Sequence, residues 1–132
     1  MAGLILRLRP FEEFLINGVL VQNGDRKTNL RVKTDGAAIL RVRDAMRPEE
    51  ATTPERRAYY IAQLAVSGEM SEEEARPILN AALKQLAARH QGRLESGTIA
   101  RATSELEAGR LYSVMRRLRD LIEPDADQQR AS

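Results

Sequence analysis

Apolar and cationic side chains alternate with a period of two through the first 43 residues. Leu4, Leu6 and Leu8 fall on one side of the chain, with Ile5, Arg7 and Arg9 on the other. Further along, Thr28, Leu30 and Val32 oppose Lys27, Asn29, Arg31 and Lys33, and Ala38, Leu40 and Val42 oppose Ile39, Arg41 and Arg43. Successive side chains of a strand point to opposite faces, so each stretch offers one face to a core and one cationic face to water. Asn17-Gly18 separates Phe14-Leu15-Ile16 from Val19-Leu20-Val21, and Asn-Gly accepts the positive φ values of a tight hairpin. Asn23-Gly24-Asp25-Arg26 and Asp35-Gly36 mark two further turns. The pattern predicts strands over about 4–8, 12–16, 19–22, 27–33 and 38–42. Connections this short favour a meander or a small barrel.

Beyond Asp44 the period becomes helical. Thr53-Pro54 sets a capping hydroxyl before a proline at the first helical position, and the helix runs to about Val66 before Ser67-Gly68 ends it. Ser71-Glu72-Glu73-Glu74 reads as a capping box, with Pro77 expected to kink the second helix or delay its start. Its apolar stripe is Ile78, Leu79, Ala82, Leu83 and Leu86. Gly92 and Ser96-Gly97 interrupt the chain, a third helix spans about 98–107, and Gly109 precedes a fourth over about 110–122 with the stripe Leu111, Val114, Met115, Leu118 and Ile122. The expected class is α+β: a small N-terminal antiparallel five-stranded β unit over 1–43, a helical region of about four helices over 44–123, and a loose polar tail over 124–132.

At 132 residues, 42% hydrophobic and 30% charged, the chain has an ordinary globular composition. The net charge of +2 hides an asymmetry: residues 1–47 hold nine Lys/Arg against five Asp/Glu, and residues 48–132 hold twelve against fourteen. The basic surplus therefore coincides with the strands. A solvated sheet face accounts for it, and so does a surface for a polyanion. With no cysteine there are no disulfides or thiolate metal sites. No apolar run approaches the ~20 residues of a membrane helix, and Leu4 to Leu8 is too short for a signal-peptide core, so a cytoplasmic protein without a membrane partner is expected.

Candidate chemistry narrows the choice. The single histidine, His90, stands among glutamine and arginine and reads as an exposed side chain. Glu49-Glu50 and Glu72-Glu73-Glu74 precede or open helices, where carboxylates favour the positive end of the dipole. No catalytic set, metal ligand set or cofactor motif can be assembled, so a non-enzyme without metal or cofactor is expected. There is no phosphate-binding loop with its lysine, no RRM signature and no Gly-x-x-Gly clamp. Five aromatic residues rule out extensive base stacking. On the fourth helix Tyr112, Arg116 and Arg119 share a face at i, i+4 and i+7, an arrangement that could stack on a base and grip its phosphates, although a tyrosine at the core edge beside solvated arginines is the plainer reading of the same three residues.

Several runs resemble one known family. They are Ile16-Asn17-Gly18-Val19, Asn23-Gly24-Asp25-Arg26-Lys27 and Ile39-Leu40-Arg41, then Met46-Arg47-Pro48-Glu49-Glu50-Ala51-Thr52-Thr53-Pro54-Glu55-Arg56-Arg57-Ala58-Tyr59-Tyr60 with Gln63-Leu64, and finally Ala108-Gly109-Arg110-Leu111-Tyr112 with Leu118-Arg119-Asp120-Leu121-Ile122. In this order they resemble the FlbT family of flagellar biosynthesis regulators, with departures at Val42-Arg43 and Val66-Ser67-Gly68-Glu69-Met70. The resemblance implies a cytoplasmic post-transcriptional regulator of flagellin synthesis, acting at the 5′ untranslated region of flagellin messenger RNA to change its translation and stability, as repressor or activator. The β unit is also similar to CsrA-type translational regulators, five-stranded dimers that bind messenger RNA through basic strands, but its arginines do not align with theirs and no site is transferred. The candidate nucleic-acid surface is Arg7, Arg9, Arg26, Lys27, Arg31, Lys33, Arg41 and Arg43, with Tyr112, Arg116 and Arg119 as a second candidate. The partner is then the flagellin messenger RNA leader. The alternative is a flagellar protein-interaction adaptor or export chaperone, partnered by flagellin or another flagellar regulatory protein. Exposed edges of so short a sheet also leave a homo-oligomer open.

Overall fold

A computed structural model describes residues 4–34 and 37–122. The alternating segments form β1 (Leu4–Leu8), β2 (Glu13–Ile16), β3 (Val19–Gln22), β4 (Thr28–Val32) and β5 (Ile39–Arg41), followed by α1 (Pro54–Ser67), α2 (Glu72–Arg89), α3 (Glu95–Glu107) and α4 (Leu111–Ile122). The class is α+β as expected. The strand order is not a meander. β1 pairs antiparallel with β4 in one sheet, and β2 lies between β3 and β5 in a second. Of the expected turns, Asn17-Gly18 closes a two-residue hairpin with φ of 50° and 81° between Ile16 and Val19. The Asn23-Gly24 turn instead carries the chain from one sheet to the other. The Asp35-Gly36 turn and the tail lie outside the described residues.

The stacking of layers explains which strands kept their alternation. β1 and β4 pair Leu6 with Leu30 and Leu4 with Val32; Leu6, Leu8, Leu30 and Val32 form an inner face that packs on Phe14, Ile16, Val21 and Ile39 of the second sheet, while Leu4 at the end of the ladder stays exposed. The other face of that sheet, with Leu15 and Leu40, packs against the helical core. A sheet covered on both faces needs apolar residues on both, as continuous apolar runs in buried strands do. Ile39 and Leu40 are accordingly both buried. The expected apolar and basic faces of β5 therefore do not exist: Ile39 joins the core, Arg41 is tucked between the sheets, and Val42-Arg43-Asp44 turn off into a 3-10 helix with Val42 exposed.

The helix signals mostly act as read. The Thr53 hydroxyl accepts the Arg56 N–H at 3.1 Å, and Gly68 at φ 86° ends α1 with the Glu69 N–H returning to the Leu64 carbonyl at 2.9 Å. Ser71 caps α2 by accepting the Glu74 N–H, but the reciprocal half of the box is replaced: the Glu74 carboxylate accepts the Ser71 hydroxyl instead of its backbone N–H. Pro77 does not delay the start of α2. The carbonyl its missing N–H would have served is that of Glu73, an exposed first-turn residue that water can reach. Ala75, Leu79, Leu83 and Leu86 are buried while Ile78, one step around the helix, is exposed. Ser96-Gly97 sits inside the first turn of α3, where the N–H groups have no helical acceptors and weak helix formers cost little.

The principal helix contacts run α1–α4, α4–α3, α3–α2 and α2–α1, closing a four-helix layer around Leu79, Leu83, Leu86, Ile99, Val114 and Leu118. Tyr112 packs against both this core and the one between the sheets. The link from β5 to α1 is held by Gln63, buried in α1, whose amide accepts the Met46 N–H at 2.7 Å and donates to the Met46 carbonyl at 2.9 Å.

Candidate nucleic-acid interface

The outer face of the β1–β4 ladder collects the first cations. Ile5 lies opposite Arg31 and Arg7 opposite Asn29, so Arg7 and Arg31 stand diagonally on one exposed face. Arg9 and Lys27 follow directly beyond the last pair of the ladder, Leu8 with Thr28, and Arg26 precedes them in the adjoining turn. Lys33 continues past the other end. All of these side chains are exposed, and none forms an ion pair with another described residue.

Arg41 and Arg43 are different. Both reach the same carboxylate oxygen of Glu12, at 3.5 and 3.7 Å, and Glu12 has a side chain only 5% exposed. Its other oxygen accepts the Arg9 N–H at 2.9 Å, and Arg41 also donates to the Arg7 carbonyl at 3.0 Å. Arg41 is thus a tie between β1, β5 and the loop before β2. The expectation that Arg41 and Arg43 extend a continuous sheet face is replaced by a cluster around a buried acid. Glu12 was legible in one respect: it shares the parity of Phe14 and Ile16, and an acid on an apolar face requires a partner.

The second candidate, Tyr112, Arg116 and Arg119, lines a cleft of about 280 Å³ between α4 and the strands, together with Arg41. Asp44 and Asp120 line it too, so its charge is largely balanced. The Tyr112 ring belongs to the seam of the two cores. The cleft therefore brings one residue of the first candidate set to the second, and leaves the exposed β1–β4 cations on their own surface.

His90 is not the exposed residue its neighbours suggested. It caps the end of α2 with its side chain 15% exposed, and its Nε2 lies 2.9 Å from Glu55 Oε2 in the first turn of α1. Arg89 approaches the same oxygen at 4.0 Å. An acid at one helix start thereby meets the His90 ring and the Arg89 guanidinium at another helix end, and the acid and the arginine each sit where a helix dipole favours their charge. Burial raises the Glu55 pKa, but the hydrogen bonds from His90 and its own backbone N–H, with the Arg89 charge, outweigh it and hold the carboxyl below its ordinary 4.5. A depressed carboxyl contributes stability above the unfolded value and loses it as pH falls through the folded one. Glu55→Gln should therefore cost about 1–2 kcal/mol at pH 7, with the gap from wild type narrowing below pH 4.5. Urea unfolding at pH 7 and in the acid range measures this, and a gap independent of pH would refute it.

Among the described residues no three His, Asp or Glu side chains gather as a metal site, and no helix is long and apolar enough to cross a membrane. The fold and surface define a small α+β protein with an exposed cationic face on a two-stranded sheet layered over a second sheet and four helices. The chain belongs to the FlbT family: the family profile described as "Flagellar protein FlbT" matches residues 4–127. A "Probable flagellum biosynthesis repressor protein FlbT" of Caulobacter sp. (strain K31) is 51% identical over 55 residues, 42% of this chain and 41% of that protein. The "Flagellum biosynthesis repressor protein FlbT" of Caulobacter vibrioides (strain ATCC 19089 / CIP 103742 / CB 15) is 41% identical over 69 residues, 52% of this chain and 48% of that one. Against these Caulobacter relatives the chain spans less than half of their length. A "Probable flagellum biosynthesis repressor protein FlbT" of Rhodopseudomonas palustris (strain TIE-1) is 28% identical over 122 residues, 92% of this chain and 94% of that protein. No solved structure matches.

Proposed function

We propose that this chain is a non-enzymatic, cytoplasmic regulator that binds the 5′ untranslated region of flagellin messenger RNA and lowers its translation and stability. The observation that carries the reading is the set of exposed cations on and beside the β1–β4 face, Arg7, Arg9, Arg26, Lys27, Arg31 and Lys33, without ion-pair partners among the described residues. Cations left unpaired by the fold are free to replace the counterions of a phosphate backbone. Family membership and the repressor names of the relatives supply the flagellar context and the direction. Bound across the ribosome's landing segment, such a surface blocks initiation, and a message stripped of ribosomes decays faster.

A second reading, an adaptor for a flagellar protein, draws on β3. An edge strand among the described residues, it exposes Val19 at 62% and Leu20 at 60%, suited to a protein partner. A gel shift separates the two. Purified protein alone should retard a flagellin leader RNA, more weakly as salt rises. Retardation only after a flagellar protein is added would favour the adaptor and overturn direct binding.

A further inference from the structure

Phe11 is the one aromatic ring of the chain that the fold leaves mostly in water. Phe14 and Tyr59 are buried, Tyr60 and Tyr112 are half-buried, and Phe11 is 61% exposed. Its backbone is also unusual, with φ of 60°, the left-handed region that residues with a Cβ avoid and that is a genuine outlier for a bulky one. Burial of the ring does not account for that conformation, because the ring is not buried.

The surrounding loops hold the conformation in place. The Phe11 N–H donates to the Gly24 carbonyl at 2.8 Å, and its own carbonyl accepts the Gln22 side-chain amide at 3.2 Å. Glu12 and Arg9 exchange two bonds: Glu12 N–H to the Arg9 carbonyl, and Arg9 N–H to the Glu12 carboxylate. The Asn23 side-chain amide donates to the Arg9 carbonyl at 2.7 Å and to the Arg26 carbonyl at 2.9 Å, so the two arginines start from adjacent backbone on the two loops. Backbone outliers that the surroundings over-determine are concentrated at functional positions. Here the result is an exposed aromatic ring at one end of the β unit, on a loop whose backbone is tied beside that of Arg9 and Arg26, with Lys27 next in line.

We propose that Phe11 is a stacking platform for one unpaired RNA base, with Arg9 and Arg26 holding the phosphates on either side of that nucleotide. This rests on the RNA-binding reading above. The cations favour a polyanion over an apolar protein groove, and an aromatic ring accepts any base by its π-face, so the position calls for an unpaired nucleotide rather than a particular letter. An RNA duplex of the same length offers no such base.

The full-length chain is titrated with a short single-stranded RNA carrying 2-aminopurine at successive positions. Wild type should quench the probe at one register. Phe11→Ala should abolish that quench and weaken binding about 5- to 100-fold with the salt slope unchanged, since no charge is removed. Phe11→Trp should keep both. Phe11→Gly controls for folding: glycine adopts positive φ freely, so its melting temperature should equal or exceed that of wild type while RNA affinity falls as for alanine. If wild type binds RNA and Phe11→Ala binds as tightly, stacking is overturned, the RNA-binding reading stands, and the ring belongs to a protein contact. If wild type binds no RNA, both fall.

Discussion

Glu12→Ala should destabilise this protein by about 3 kcal/mol, the largest loss expected from removing a single polar side chain here. The carboxylate is 5% exposed and faces Arg41, itself 18% exposed, with Arg43 beside it. Removing one partner of a buried pair leaves the other desolvated without compensation, which costs more than the pair itself contributes. The Arg9 N–H would also lose its acceptor. The distances of 3.5 and 3.7 Å are longer than good hydrogen bonds, so the guanidinium contribution is chiefly coulombic and the short backbone bond is separable. Glu12→Gln keeps an oxygen for that N–H and removes the charge, and its loss should fall between wild type and alanine. Urea unfolding with unchanged slope measures both. A loss for alanine below about 1 kcal/mol would place the cluster among solvent-screened surface pairs.

Replacing Arg7, Arg9, Arg26 and Arg31 together by alanine should weaken leader-RNA binding by about 10²- to 10³-fold at physiological salt, and flatten the salt dependence by about 0.7 in log-log slope for each phosphate no longer neutralised. Because these side chains are exposed and unpaired among the described residues, stability should stay within about 0.5 kcal/mol of wild type. Arg41 and Arg43 do not belong in this set: their guanidinium groups serve Glu12, so substituting them mixes a folding defect with a binding defect. The control removes equal charge from the helices and the turns between them by replacing Arg57, Arg93, Arg101 and Arg110, all exposed. That variant should retain most of its affinity. Equal losses from both sets would show that net charge, rather than the β1–β4 face, drives binding.

The candidate surface was legible only where strands kept one wet face. Arg7 and Arg31 point outward, as their alternation predicts, because the β1–β4 sheet has a single packed side, whereas the same alternation around Ile39, Leu40 and Arg41 gives no basic face because that strand is covered on both. A period-two pattern reports a strand and its two faces, but not how many of those faces a fold will cover. The Phe11 conformation is not legible in the sequence, because nothing local favours positive φ at a phenylalanine. It comes from bonds to Gln22 at the end of β3 and to Gly24 in the turn that follows.

What the sequence by itself determined is local: the hairpin at Asn17-Gly18, the Thr53-Pro54 start, the left-handed ends at Gly68 and Gly109, and the apolar stripe of α4. Each depends on φ preferences, caps or periodicity within a few residues. Tertiary structure alone decided that β1 pairs with β4, that β2 separates β3 from β5, that Glu12 gathers Arg41 and Arg43, and that Glu55 meets His90 across 35 positions. Those outcomes come from competition among distant faces for burial and among distant charges for partners, and neither is encoded within a turn of chain.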